Sequence, residues 1–371
     1  MKTVAHCVTP YLPLTARWIH AQIAHLRRYR PVVLTQETQN LDSFPVAAVH
    51  DAGAWPAPRR WANRLVRKVT GEYPFYGGLL QREGACLIHA HFGYQGHFCQ
   101  RARRASGLPM VVSFYGEDGT RYLRYPRWLR RYRRLFEEAG AVLVEGGAMG
   151  ARLVEAGCPP DKVRVHRLGV EAAEIPFRPR EPAERVRFLI CASFREKKGI
   201  PQALRALGRA REARPFPCEV VLIGDGPERA RVLEAVERSG LGERVRLLGA
   251  LPYERVLEEM EGCHVLLQAS LTAADGDGEG GAPVVLLDAQ ASGLPVVATR
   301  HADIPEYVLD GRSGLLAPEG DVEALAGCIR SLVEDPGRWP EMGREGRRHV
   351  EECYNAPVQG AALESLYDEY V

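Results

Sequence analysis

The chain is expected to be an α/β protein built from two doubly wound, parallel-sheet domains. Three observations lead there. It has 371 residues, more than a single hydrophobic core usually supports. Short Val/Leu-rich runs alternate with helical stretches almost throughout. The runs are apolar on both faces instead of alternating, as strands buried between layers of helices require. They also fall into two successive series, which implies two sheets, with a ligand cleft between the domains at the carboxyl ends of the strands.

The first series comprises Pro31–Thr35, Cys86–His89, Met110–Phe114, Ala141–Val144 and Val163–Val165, with helices such as Arg17–Tyr29 and Gly96–Ser106 between them. The second comprises Val186–Cys191, Cys218–Ile223, Val245–Leu248, Val265–Gln268, Val296–Ala298 and Gly314–Leu316. The segment Glu171–Arg187, rich in charge and carrying Pro176, Pro179 and Pro182, reads as the linker. The expected division is therefore residues 1–170 and 171–354, with a terminal helix at about 355–371 packing back on the first domain.

A composition of 46% apolar and 26% charged residues excludes a disordered chain. Nine cysteines, an odd number with no C-x-x-C pair, argue for free thiols in a reducing compartment. Residues 1–10 lack the charged-then-apolar layout of a secretory signal, and no apolar run reaches 18 residues. The expectation is a cytoplasmic protein, with room for peripheral attachment to the inner face of a membrane.

The formal net charge of +2 hides a division. Residues 1–170 carry 25 Lys and Arg against 12 Asp and Glu, or +13; residues 171–371 carry 24 against 35, or −11. A basic half beside an acidic half points to an anionic partner for the first. Arg121–Arg134 places seven Arg among Tyr122, Tyr125, Trp128 and Tyr132. From Pro126 it can be helical, with Trp128, Leu129, Tyr132 and Leu135 on the apolar side. A second basic and aromatic piece runs from Arg59 through Trp61 to Lys68. Such segments suit an anionic membrane surface. Nucleic acid is not expected, because no RNA-binding module accompanies the charge.

The second half carries the chemistry. Strand Val220–Ile223 runs into Gly224-Asp-Gly226-Pro, where glycines at a strand-to-helix turn let backbone N–H groups approach a phosphate or simply make a tight turn. Cys191-Ala-Ser193-Phe-Arg195-Glu-Lys-Lys198-Gly follows another strand, and Arg195 and Lys198 could neutralise a diphosphate leaving group. Most specific is Asp275-Gly-Asp-Gly-Glu279-Gly-Gly-Ala-Pro283, continuing to Asp288. The glycine loop ends at a helix running to about Ser292, so the amides of Gly280, Gly281, Ala282, Pro283's neighbours and Val284 mark an anion site. Asp275-x-Asp277 has the look of a metal motif, but a calcium loop starting there would need a carboxylate at Leu286. No metal is expected.

Together these residues resemble the retaining GT-B glycosyltransferases of family GT4, most of all those making exopolysaccharides of the colanic-acid type. The likeness rests on Glu279-Gly-Gly-Ala-Pro with Asp288-Ala-Gln-Ala-Ser-Gly-Leu-Pro, on Asp303-Ile-Pro-Glu, Glu196-Lys-Lys-Gly, Gly224-Asp-Gly-Pro and His89-Ala-His-Phe-Gly. It implies a GT-B fold, a nucleotide diphosphate sugar (UDP- or GDP-linked) as donor substrate, no separate cofactor, and a glycan or lipid-linked acceptor. By the same resemblance, Glu279 binds sugar hydroxyls and residues 280–284 cradle sugar and phosphate. Asp288 holds the ribose, Ser193, Arg195 and Lys198 lie at the diphosphate, and Leu251 lies near the base.

The sequence departs from the family in three places. Eight residues separate Glu279 from Asp288 where the family has seven and a second Glu. The family's usual Arg falls at Ser193, leaving Arg195 to substitute, and its first-domain catalytic histidine is Tyr115. His91 and Asp118 are the remaining candidates for contact with substrate in that domain. Two rivals stay open: a nucleotide-sugar 2-epimerase of the same architecture, and a catalytically degenerate protein that binds a nucleotide sugar or glycan.

Overall fold

The computed structural model describes residues 1–13 and 16–371. The chain divides into two compact units, Met1–Gly169 with Ala356–Val371, and Val170–Asn355. Each is a parallel sheet between layers of helices.

The strands of the first unit are β1 (Lys2–Cys7), β2 (Tyr29–Thr35), β3 (Val49–Asp51), β4 (Ala85–His91), β5 (Met110–Ser113), β6 (Ala141–Val144) and β7 (Val163–Val165). Their order is β3-β2-β1-β4-β5-β6-β7. Those of the second are β8 (Val186–Cys191), β9 (Cys218–Ile223), β10 (Val245–Gly249), β11 (Val265–Gln268), β12 (Val296–Thr299) and β13 (Gly314–Ala317), ordered β10-β9-β8-β11-β12-β13. The recorded pairings are parallel throughout both sheets. In each sheet the winding direction reverses once, between β1 and β4 and between β8 and β11. The loops leaving those strands are where such sheets bind ligands.

Central strands carry almost no exposed side chains: every residue of β5, β6, β11 and β12 is buried. That burial explains their unbroken apolar runs. The second unit packs Ile200–Ala213 and Val322–Glu334 on one side of its sheet, with Leu204, Leu207, Ile329 and Leu332 fully buried. The opposite side holds Leu286, Leu287, Val350 and Tyr354.

Four local expectations change. β1 and the short edge strand β3 escaped the sequence analysis. The expected helix Arg17–Tyr29 stops at Ala24, because the chain turns into β2 there. Glu364 of the terminal helix Ala356–Asp368 fixes the turn, its Oε1 accepting from the amides of Arg27 at 2.6 Å and Tyr29 at 3.3 Å. The proline-rich linker is a strap bound to the second unit. Buried Arg180 donates to the carbonyls of Cys263 (2.8 Å), Ser292 (3.0 Å) and Met260 (3.2 Å).

Finally, helix Pro126–Glu138 spends its aromatic side on the core. Trp128, Tyr132, Leu135 and Phe136 are buried, while Leu129 is only partly so. The helix Ala57–Thr70 does the reverse. Its buried residue is Asn63, and Trp61, Leu65 and Val69 stand 66%, 64% and 77% exposed, one turn apart along a single face. All nine cysteines are free.

Candidate active site

In the second unit the loops leaving β8 and β11 meet. Gly199, at φ +60°, lies so close to Ala269 that a Cβ would come within 1.7 Å of its carbonyl oxygen. Only glycine permits both that conformation and that approach. The amide of Leu271 also donates to the carbonyl of Lys197 at 2.9 Å. This junction carries Lys198 to Glu279: Nζ donates to Oε2 at 2.6 Å. The other carboxylate oxygen, Oε1, accepts from Ser270 Oγ at 2.6 Å, and Ser270 Oγ in turn accepts from Gln268 Nε2 at 2.8 Å. Lys197 binds Asp277 Oδ1 at 3.1 Å and the carbonyl of Gly278 at 3.0 Å.

Burial alone would raise the Glu279 carboxyl. The opposing charges of Lys198 and Lys197, with hydrogen bonds from Lys198 and Ser270, hold it below the ordinary glutamate value. It is therefore a carboxylate at neutral pH. Just beyond it, Gly280 (φ +81°), Gly281, Ala282, Pro283 and Val284 lead into the helix Val285–Ser292. Asp288 lies within that helix, buried, and its Oδ1 accepts from Tyr253 OH at 3.0 Å. Leu251, half-buried after β10, packs into the cluster around Leu286 and Leu287.

Gly224 and Gly226 do other work than an open phosphate turn. A Cβ on Gly224 (φ +140°) would meet the carbonyl oxygen of Ala192 at 1.9 Å, and one on Gly226 (φ +155°) that of Phe194 at 2.7 Å. The glycine turn is thus clamped to the Ala192–Phe194 segment, with Phe194 N–H donating to the carbonyl of Asp225 at 2.8 Å. Ser193 sits exposed on the same segment. Arg195 is exposed and lines a depression between the helices Ile200–Ala213 and Arg229–Arg238, together with Arg205, Glu228 and Arg231. It does not join the Lys198–Glu279 group.

The first-unit candidates are wholly buried. His91 Nε2 shares a hydrogen bond with His6 Nδ1 (3.0 Å), and His91 Nδ1 another with Tyr115 OH (2.7 Å). His89 reaches Tyr367 OH (2.6 Å) and Ser113 Oγ (2.8 Å). Burial lowers all three imidazoles well below the usual histidine value, His6 to about 3, so they are neutral. Asp118 gives both oxygens to backbone: Oδ2 to the amide of Gly93 (2.8 Å), and Oδ1 to those of Gly116 (2.9 Å) and Tyr115 (3.2 Å). Its geometry is that of a loop organiser, not of an acid presented to an acceptor. His91 and Tyr115 likewise have their polar atoms engaged inside the unit.

The sequence analysis missed Ser270, His301 and Glu319. His301 Nε2 accepts from the amide of Glu279 at 3.1 Å, and its Nδ1 lies 2.8 Å from Glu319 Oε2. Their one legible signal is position, since each follows the carboxyl end of a strand, Ser270 that of β11 at the point where the winding reverses, His301 that of β12 and Glu319 that of β13.

Residues 6–174 match the description "Glycosyltransferase Family 4", and residues 185–335 match "Glycosyl transferases group 1". The amylovoran biosynthesis glycosyltransferase AmsK of Erwinia amylovora is 34% identical over 287 residues, covering 76% of this chain and 70% of that protein. The putative colanic acid biosynthesis glycosyltransferase WcaL of Escherichia coli is 31% identical over 286 residues, again 76% and 70%. Among solved structures, Anabaena Alr3699/HepE in complex with UDP-glucose superposes over the whole of both chains, with a TM-score of 0.79 at 18% identity. At that identity the likeness speaks for the fold alone. Sequence, topology and family matches therefore converge: the chain is a GT-B protein and belongs to the group 1, family 4 glycosyltransferases.

Proposed function

We propose that this glycosyltransferase moves a hexosyl unit from a UDP- or GDP-sugar to a hydroxyl of a glycan or lipid-linked acceptor, with retention of anomeric configuration, in the synthesis of a cell-surface polysaccharide or glycolipid. The observation that carries the reading is the Lys198–Glu279 pair in the loops after β8 and β11, with Glu279 on the glycine loop that leads into the helix Val285–Ser292. The names of the amylovoran and colanic acid relatives support the polysaccharide setting, and the UDP-glucose complex of the Anabaena protein supports a nucleotide-sugar donor.

In this mechanism the Glu279 carboxylate accepts hydrogen bonds from donor sugar hydroxyls, and the backbone N–H groups of Gly280, Gly281, Ala282 and Val284 face sugar and phosphate. Asp288, steadied by Tyr253, receives the vicinal hydroxyls of the ribose. The transition state is oxocarbenium-like, with negative charge growing on the departing diphosphate. Lys198 keeps one N–H on Glu279 and offers others to that charge, so the field is in place before reaction and no metal is needed. The departing phosphate oxygen takes the proton of the attacking hydroxyl on the same face. Arg195 enters the scheme only if its exposed side chain swings from its present depression.

An anionic membrane is the proposed site of work. Support comes from helix Ala57–Thr70, where Trp61, Leu65 and Val69 form an exposed apolar ridge among Arg59, Arg60, Arg64, Arg67 and Lys68 with no acid on the helix. The arginines of Pro126–Glu138 add charge, but the aromatic residues of that helix are consumed by the core.

The test is a thermal-shift panel of UDP- and GDP-sugars followed by release of UDP or GDP with cell lipid extract as acceptor. A shifted melting point with acceptor-dependent release is expected. Binding without release under any acceptor would favour the degenerate binding protein instead.

A further inference from the structure

His301 sits on the turn after β12 and is 2% exposed. Its Nε2 lies 3.1 Å from the backbone nitrogen of Glu279. A backbone N–H can only donate, so Nε2 must carry the lone pair and the proton must reside on Nδ1. Nδ1 then donates to Glu319 Oε2 at 2.8 Å. The other oxygen of Glu319 accepts from the amide of Thr272 at 2.6 Å. One carboxylate after β13 thus fixes an imidazole after β12, which fixes the backbone of Glu279 after β11.

The same turn holds the glycine loop at a second point. The amide of Asp303 donates to the carbonyl of Gly281 at 3.1 Å. Between the two contacts, Ala302 is held at φ +47°, a left-handed conformation that a residue with a Cβ rarely keeps without surrounding constraint. Glu279 itself is therefore gripped from both ends, its amide by His301 and its carboxylate by Lys198 and Ser270.

We propose that His301, its Nε2 held toward the Glu279 amide by the contact of Nδ1 with Glu319, is a positioning residue that aims Glu279 at the sugar of the donor. This rests on the reading of Glu279 as the sugar-binding carboxylate.

The experiment measures dissociation constants of UDP-glucose, UDP, GDP-mannose and GDP by calorimetry for the wild type, His301→Ala, His301→Gln and Glu279→Gln. The sugar-dependent part of affinity is the ratio of sugar nucleotide to bare nucleotide. His301→Ala should lower that ratio about tenfold, equal to ~1.4 kcal/mol, and leave bare nucleotide binding unchanged. His301→Gln, whose side-chain carbonyl oxygen can still accept from the Glu279 amide, should keep the ratio. If His301→Ala does not fold, Glu319→Gln, which releases the tautomer, should lower the ratio and speed hydrogen exchange at the Glu279 amide. Equal loss of sugar nucleotide and bare nucleotide, or a His301→Gln ratio as low as that of His301→Ala, would overturn the proposal. Should Glu279→Gln keep the full ratio, or none of the four compounds bind, the underlying reading of Glu279 fails instead.

Discussion

Lys198 Nζ and Glu279 Oε2 stand 2.6 Å apart although 81 positions separate them in sequence. Their side chains are 15% and 5% exposed, so each ion is largely removed from water and depends on the other. Removing one partner from such a pair leaves the remaining charge uncompensated, at a typical cost of about 3–5 kcal/mol. Lys198→Ala should therefore lower the melting temperature and reduce transfer by about two orders of magnitude or more. Lys198→Ala/Glu279→Gln should regain stability without regaining turnover. Near wild-type turnover of the purified single variant would show that the diphosphate is held elsewhere.

The same pair sets a pH dependence. Folding depresses the Glu279 pKa below its unfolded value of about 4.5. Its contribution to stability is therefore complete above that value and is lost as pH falls through the lower folded one. Acid unfolding of Glu279→Gln, followed by circular dichroism, should be flatter over that window than wild type. Parallel curves would mean that the carboxylate is not charged in the folded state.

Gly199 makes the meeting of the two loops possible. Alanine there would carry a Cβ 1.7 Å from the carbonyl oxygen of Ala269, at a φ of +60° that by itself costs about 1–2 kcal/mol. The loop must retreat and take Lys198 with it. Gly199→Ala should lose nucleotide-sugar binding as fully as Lys198→Ala, while Gly320→Ala, where no atom lies within 4 Å of an added Cβ, should bind normally. Retained binding in Gly199→Ala would separate the loop junction from the donor site.

How much of this was legible beforehand follows from where each determinant lies. The second sheet could be read strand by strand because burial on both faces writes a continuous apolar run, and the segment 275–288 announced itself through glycines before a helix. β1 was not legible, because Thr3 and His6 interrupt its apolar run and find their partners on other strands, Arg30 and His91. The end of the first helix is set by Glu364, 337 positions from Arg27, and no local propensity reports that. His301 and Glu319 stayed hidden for the same reason, as their partners are a backbone amide and each other. Asp118 was legible as an unusual acid in a glycine-bearing loop, but its sequence context did not say that both oxygens serve backbone.

That use of Asp118 distinguishes a structural from an acceptor role. Burial raises its pKa despite three amide donors, and it remains the acceptor for Gly93, Tyr115 and Gly116. Asp118→Ala would leave these amides unsatisfied at about 1–3 kcal/mol each. In a unit of this size each kcal/mol lowers the melting temperature by about 2–4 °C. A clear loss of thermal stability is expected, with donor affinity in the second unit unchanged. A variant of wild-type stability but impaired acceptor use would restore the acceptor role.

The proposed membrane attachment draws on two helices with opposite exposure. On Ala57–Thr70 the apolar ridge of Trp61, Leu65 and Val69 faces out, whereas Pro126–Glu138 buries Trp128, Tyr132, Leu135 and Phe136 and shows arginines. Each basic residue near an anionic leaflet contributes about 1 kcal/mol, weakened by salt, while the apolar ridge adds a salt-resistant part. Flotation with phosphatidylcholine vesicles containing phosphatidylserine should therefore separate them. Trp61→Ser/Leu65→Ser/Val69→Ser should abolish binding at high salt, and Arg127→Glu/Arg130→Glu/Arg131→Glu/Arg134→Glu should weaken it chiefly at low salt. If the serine variant floats as wild type does at every salt concentration, the ridge is not a lipid contact and the exposed face of Ala57–Thr70 has another use.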